Sequence, residues 1–138
     1  AIRDPLWSRG LGDVYKRQEL GILQSELFRA VRLVVDTGMH YKRWTREEAM
    51  AYMKAKTGMS DTEVRVEIER YIVWPAQALS YKVGMIKILE LRKKAQDALG
   101  EKFNIKDFHS ALLDHGSPPL FIVEEKVNDM INNAKSLN

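Results

Sequence analysis

From Glu19 onward, apolar side chains recur at three- and four-residue steps: Leu20, Leu23, Leu27, Ala30, Val31, Val34 and Val35. This is the period of a helix with one buried stripe. The spacing predicts a long helix to about Asp36, stopped by Gly38, since glycine enters the left-handed conformation without a Cβ clash. Thr45-Arg46-Glu47-Glu48 forms a capping-box pattern. In such a box the Thr hydroxyl and the Glu48 carboxylate each accept a backbone N–H that the first helical turn leaves orphaned. The box opens a short helix over 46–57, ended by Gly58. Ser60-Asp61-Thr62-Glu63 repeats the pattern and opens another helix, with Val64, Ile68, Tyr71 and Ile72 on its buried face.

Pro75 then interrupts, because it lacks the N–H that would bond the Tyr71 carbonyl and it crowds Trp74 out of the α region. Either the helix kinks there, or a new one starts with Pro75 in its first turn. Ala78, Leu79, Val83, Ile86, Leu89 and Leu91 continue a helical pattern to Leu99, and Gly100 supplies the stop. Asn104 to Asp107 reads as a further N-cap, with Phe108, Leu112 and Leu113 on the apolar face of a helix closed by Gly116. Ser117-Pro118-Pro119 starts the last helix, which turns Leu120, Val123, Val127 and Ile131 to the core and frays from Asn132. No segment of useful length alternates with period two, and no Asn-Gly or Asp-Gly turn separates apolar runs. The expected fold is all-α, with about six helices and no sheet.

Composition narrows the class. The chain has 138 residues, 45% of them apolar and 30% charged, which is about one domain's worth of sequence with material for a core. No run of apolar residues is long enough to span a bilayer. With no Cys, disulfides, Cys-ligated zinc and thiol nucleophiles are excluded, while cytoplasmic and periplasmic locations both stay open.

The net charge of +3 and pI near 9.1 invite a nucleic-acid reading until the N-terminus is considered. Ser8–Gln18, SRGLGDVYKRQ, resembles a transposase-type sequencing-library adapter translated in frame. On this reading residues 1–18 are a non-native segment, disordered or unpacked, and the domain is 19–138. The segment holds Arg3, Arg9, Lys16 and Arg17 against Asp4 and Asp13, so the other 120 residues carry 18 basic and 17 acidic side chains. Their charges are interspersed, as on a solvated helical surface, and no nucleic-acid partner is expected.

HExxH, a Gly-rich phosphate loop, GxSxG and an EF-hand loop are all missing from the sequence, so no self-contained active site is visible. His40, His109 and His115 have no i, i+4 pairing that would place two imidazoles on one helical face for a metal. His115, just before Gly116, reads as a helix-terminal histidine favoured by the dipole. The unusual feature is Glu69-Arg70-Tyr71 followed by Trp74-Pro75, Gln77 and Tyr81. If the helix continues through a kink, Arg70, Trp74, Gln77, Tyr81 and Gly84 share one stripe. Such polar groups need partners when buried, so the stripe is either an internal hydrogen-bonded network or a wall facing a ligand. Asp36-Thr37-Gly38-Met39-His40 reads as a turn with a local Asp–His pair, and Arg29 and Arg32 lie on the polar side of the helix before it.

The strings SELFRAVRLVVDTGMH (25–40), WTREEAMAYM (44–53), ERYIVWPAQALSYKVG (69–84) and LGEKFNIKDFHSALLDHGSPPL (99–120), in that order, resemble the C-terminal part of the bacterial domain-of-unknown-function family numbered 885. The resemblance spans nearly all of 19–138. It implies an all-helical zinc metallopeptidase of the HExxH-plus-glutamate kind, similar to dipeptidyl carboxypeptidases and angiotensin-converting-type enzymes. The zinc ligands of such proteins lie upstream of the matched region, and this sequence departs from the pattern by lacking them.

By that resemblance Arg70-Tyr71 matches a pair whose Tyr hydroxyl stabilises the oxyanion, which makes Tyr71 the catalytic residue. A phenol suits the task because it is neutral and donates one hydrogen bond where charge develops. Gln77 and Tyr81 would line the substrate cleft beside Arg70, and His40 and His109 would hydrogen-bond the substrate or groups behind it. The chain is then expected to be the C-terminal part of a zinc-dependent peptidase-like hydrolase, with no cofactor of its own and zinc in the full-length protein. Its partners would be the missing N-terminal part and a peptide-like substrate, and an apolar patch should be left where that part packs. The alternative is a non-catalytic helical interaction or scaffold module, in which Arg70, Gln77 and Tyr81 knit helices together.

Overall fold

A computed structural model describes the backbone of residues 6–136 and the side chains from Lys16 onward. Its described residues form six α-helices and two short 3-10 turns, with no strand, so the all-α expectation holds. The helices are α1 (Leu6–His40), α2 (Arg46–Thr57), α3 (Asp61–Val73), α4 (Ser80–Leu99), α5 (Ile105–Leu113) and α6 (Leu120–Ser136), and the 3-10 turns cover Gln77–Leu79 and Gly100–Lys102. The chain divides into two compact units, one ending at Lys82 and the other beginning at Val83.

The first unit is built on α1. Val31 and Val35 from α1, Ala49 and Met53 from α2, Val64, Ile68 and Tyr71 from α3, and Ala78 form its core. Both capping boxes fix where the helices that supply this core begin. Thr45 accepts the Glu48 N–H while Glu48 accepts the Thr45 N–H at 2.7 Å, and Ser60 and Glu63 repeat the exchange. Gly58 ends α2 in the left-handed conformation at φ 67°. These boundaries agree with the sequence, and they set the phase that turns Val64, Ile68 and Tyr71 inward. Fully burying a side chain such as Ile68 contributes about 2 kcal/mol.

Several features of this unit differ from expectation. The helix α1 begins at Leu6, well before Glu19, while the packing of Trp7 and Tyr15 lies outside the described side chains. Leu20, Leu23, Leu27 and Val34 are exposed, so of the expected stripe only Val31 and Val35 are fully buried, and its N-terminal part leaves an uncovered apolar row. Ile72 is also exposed, because α3 buries a narrower face than the period allows.

Gly38 does not stop α1, which runs on through His40. The chain leaves through Arg43 at φ 58°, and Trp44 folds back so that its N–H donates to the Gly38 carbonyl at 2.9 Å. A Cβ on Gly38 would sit 2.4 Å from Trp44 Cε3. The glycine therefore serves close approach of an indole to a helix, not helix termination.

In the second unit Leu91 and Ala95 of α4, Phe108 of α5, and Val123, Val127 and Ile131 of α6 form a separate core. Gly100 leaves α4 at φ 54°, Asn104 caps α5 by accepting the Lys106 N–H at 2.9 Å, and Gly116 takes φ 72° after α5. Leu113 and Leu120 are exposed instead of buried. The helix α6 persists to Ser136 and does not fray at Asn132, since Ile131 is buried in its last turns. Lys87 bridges α4 to α6 through Glu124 at 2.9 Å.

Gly38→Ala is expected to destabilise the chain by about 1–3 kcal/mol, the scale of overpacking, despite the better helix propensity of Ala. Gly21→Ala, also within α1 but with open space around its added Cβ, should stabilise by about 0.5–1 kcal/mol. Urea denaturation of both variants followed by circular dichroism checks the contrast, and equal effects would remove the Trp44 argument.

Candidate functional site

The residues that matter lie where α3 ends and the chain turns toward α4. Pro75 neither kinks a continuous helix nor starts a new one in its first turn. The helix α3 stops at Val73, Trp74 adopts φ −132° and ψ 69°, and Ala76 takes a left-handed φ of 67°. For a residue with a Cβ this conformation costs about 1–2 kcal/mol, so something must hold it. The holder is Asp36, 2% exposed, whose two carboxylate oxygens accept the Ala76 N–H at 3.3 and 3.2 Å. Asp36 thus reaches forty residues along the chain instead of pairing with His40. His40, itself exposed, donates Nε2–H to the Tyr71 carbonyl at 3.0 Å, an acceptor at the end of α3 that also takes the Trp74 N–H at 3.3 Å.

The turn brings several of the sequence-derived residues together. Arg70 Nη1 donates to Gln77 Oε1 at 2.8 Å, and its Nη2 donates to Glu67 Oε2, also at 2.8 Å. Arg32 Nη2 donates to the same Gln77 oxygen at 3.3 Å. The Tyr71 hydroxyl donates to Glu67 Oε2, and the whole residue is 0% exposed. Tyr81 accepts two guanidiniums against its ring, Arg29 at 4.7 Å and Arg32 at 5.1 Å from the centroid. Trp74 is exposed and Gly84 belongs to the second unit, so neither joins the group. His109 stands on α5 in the second unit, exposed, with its ring centroid 6.3 Å from that of Phe108.

Three members were missed by sequence reasoning. Glu67 lies three residues before Arg70 and four before Tyr71, the spacing at which helical neighbours meet, so that signal was available. Arg32, placed on the polar side of its helix from the sequence, is 6% exposed. Asp36, read as part of a turn, is helical and buried. The partners of these two come from the far turn, and periodicity along α1 carries no sign of them.

The electrostatics fix protonation states. Burial pushes the Tyr71 phenol up, and the Glu67 carboxylate beside it pushes it further. Tyr71 therefore stays a neutral hydrogen-bond donor. Burial also raises the Glu67 carboxyl, but the hydrogen bonds from Arg70 and Tyr71 outweigh it and hold the group below its ordinary value. No three His, Cys, Asp or Glu side chains come together to hold a metal among the described residues.

Comparison with known proteins now adds a family. The family described as "Bacterial protein of unknown function (DUF885)" matches residues 7–127. The chain belongs to this DUF885 family. Among solved structures, the chain is similar to the crystal structure of a candidate lipoprotein from Colwellia psychrerythraea, with 54% identity and a TM-score of 0.81. The match covers 83% of this chain and 20% of that one, so the chain spans about a fifth of that relative's length. No curated protein matches the sequence. As a DUF885 sequence, the chain keeps Arg70, Tyr71, Gln77 and Tyr81 in one unit and places His109 in the other.

Two outcomes check this geometry. Asp36→Ala should cost about 1–3 kcal/mol, the scale for orphaning a buried donor, and adding Ala76→Gly should recover about 1 kcal/mol by relieving the left-handed strain. Denaturant midpoints of the single and double variants measure both. The second outcome concerns acid. A carboxylate with a lowered native pKa contributes stability that is complete above its unfolded value and is lost as pH falls through the native one. Wild type should therefore lose more stability than Glu67→Gln between about pH 5 and 3. Glu48 and Glu63, also held low by their hydrogen bonds to Thr45 and Ser60, are common to both proteins and cancel in the comparison.

Proposed function

We propose that this chain is a portion of a longer, zinc-dependent, peptidase-like hydrolase and supplies a wall of its substrate cleft. The observation that carries the reading is the Arg70–Tyr71 pair, adjacent on α3 and joined through Glu67, in a chain whose family likeness extends over residues 7–127. The limited span against the solved relative supports a longer protein. The lipoprotein description of that relative favours a location in the cell envelope.

In this reading Tyr71 is the oxyanion donor. Its phenol is kept protonated by burial and by Glu67, so it enters the reaction carrying the proton that it must donate. Glu67 holds the hydroxyl in the resting state, and Arg70 neutralises that carboxylate. A substrate oxygen that gains charge in the transition state competes with Glu67 for the same donor, so stabilisation grows as charge develops. Gln77 and Tyr81 line the cleft beside Arg70, and His40 holds the end of α3 by donating to the Tyr71 carbonyl.

Zinc would polarise a peptide carbonyl and activate water in such an enzyme. The described residues do not fit it, because no three candidate ligands converge. In this proposal its ligands belong to the rest of the longer protein, and the steps assigned here pass only through this chain's own side chains.

One observation favours a second reading, a helical scaffold or interaction module without chemistry. Gln77 accepts from both Arg70 and Arg32, and Tyr71 is occupied by Glu67, as in a network whose task is to join α1, α3 and the following turn.

Kinetics separate the two. In the longer family protein, Tyr71→Phe should lower kcat roughly 10²-fold or more with little change in KM, the scale for one lost oxyanion donor. Under the scaffold reading the change costs about 1 kcal/mol of folding stability and leaves activity per folded molecule intact. The 138-residue chain by itself should hold far less than one equivalent of zinc after purification. One tightly held equivalent, measured by elemental analysis, would overturn the placement of the ligands elsewhere.

A further inference from the structure

Among the described residues of the first unit, Arg32 is the least satisfied buried polar side chain. It is 6% exposed, and its Nε is buried with no hydrogen-bond partner. Its single hydrogen bond is the 3.3 Å contact to Gln77 Oε1, an oxygen that Arg70 holds more closely at 2.8 Å. Among the described residues no carboxylate lies within ion-pair distance of it. A guanidinium has five donors and keeps its charge at any ordinary pH, and burying a charge without a counter-ion is costly.

What surrounds Arg32 is aromatic. Its guanidinium carbon lies 5.5 Å from the Phe28 ring centroid, 5.4 Å from Tyr71 and 5.1 Å from Tyr81. These faces compensate part of the lost hydration. Arg29, one turn earlier on α1, lies 4.7 Å from the same Tyr81 centroid and makes no hydrogen bond or ion pair among the described residues. Arg70 in turn lies 4.8 Å from the Tyr71 ring. The result is a row in which cations and rings alternate: Arg29, Tyr81, Arg32, Tyr71, Arg70. Against its three positive charges stands Glu67, already engaged by Arg70 and Tyr71. The Tyr81 end of the row is open, at 49% exposure.

We propose that the Arg29–Tyr81–Arg32 end of this row is a binding site for a carboxylate-bearing ligand, such as the free C-terminal end of a peptide. The fork of a guanidinium matches the two oxygens of a carboxylate. Two such forks beside one ring supply the charge, and the exposed part of Tyr81 supplies a surface for the ligand's organic body. A carboxylate here gives Arg29 and Arg32 the direct ion pair that neither makes among the described residues. The proposal deepens the hydrolase reading by naming the charged end of the substrate, yet its evidence is the unpaired arginines and not the Tyr71 hydroxyl.

The test is equilibrium binding to the 138-residue chain, by calorimetry or by shifts of amide NMR signals. The probes are N-acetyl-L-alanine, N-acetyl-L-alaninamide and inorganic phosphate. Saturable binding of the acid, with the amide and phosphate weaker by about tenfold or more, is the expected result, since a hydrogen bond to a charged group is worth about that factor. Arg29→Gln, at a half-buried position that the core does not depend on, should lose about tenfold in affinity for the acid. Arg65→Gln, which removes an exposed arginine of α3 outside the site, should not.

Arg32→Gln should also abolish binding, and the Arg29 variant decides the matter if that buried replacement impairs folding. Equal binding of acid and amide, phosphate binding as tight as the acid, an unaffected Arg29→Gln or no binding of the acid would each overturn the site. The readout needs neither metal nor turnover. A longer protein that fails the Tyr71→Phe test therefore leaves a positive result standing, and a chain that ignores carboxylates leaves the oxyanion question to its own experiment.

Discussion

The first unit depends on one buried carboxylate receiving one backbone N–H. Asp36 on α1 accepts the Ala76 N–H with both oxygens, and this bond spans the break that Pro75 forces between α3 and α4. A left-handed alanine is unfavourable by itself, and a carboxylate at 2% exposure is unfavourable without donors. Each offsets the other's cost. The bond places Ala78 in the core, sets Gln77 where Arg70 and Arg32 both reach it, and starts α4 so that Tyr81 lies against α1. Without it the proline would still end the helix, but nothing would aim the next segment back across α1.

With the turn fixed, chemistry is set by which charges find partners. Glu67 is surrounded by donors and stays ionised, the Tyr71 phenol stays protonated, and Arg70 is shared between Glu67 and Gln77. Those three are balanced. Arg32 is not, since it sits among three rings with an orphan Nε. A satisfied group close to an unsatisfied one is the contrast expected between a part that holds the structure and a part that meets something else.

What could be read from the sequence follows the range of the interaction concerned. Both capping boxes are local, four residues each, and they placed α2 and α3 correctly. The all-α class rests on periodicity within single segments and was equally legible. Gly38 was misread because a glycine after an apolar run serves either a left-handed end or a close approach, and only Trp44 folding back on it decides. The Leu20–Leu23–Leu27 row was misread for a related reason: spacing shows that a face is apolar, not that this chain covers it. Of the candidate site, Arg70, Tyr71, Gln77 and Tyr81 were picked out as one stripe on the premise of a continuing helix. They lie close together through a turn instead, so the grouping was sound while its geometry was not. The pairings of Arg32 with Gln77 and Asp36 with Ala76 span 45 and 40 residues, and no local pattern encodes them.

The two halves of α1 invert the usual rule. Toward its C-terminus the helix buries Arg32 and Asp36, while toward its N-terminus it exposes Leu20, Leu23 and Leu27. A helix that only had to pack within this chain would gain by the reverse arrangement, roughly 1.5–3 kcal/mol for each leucine covered. The buried polar half is accounted for by the turn it anchors and by the proposed carboxylate site. The apolar half is accounted for if α1 also serves as a packing surface in a longer protein, which agrees with a chain spanning a fifth of its solved relative.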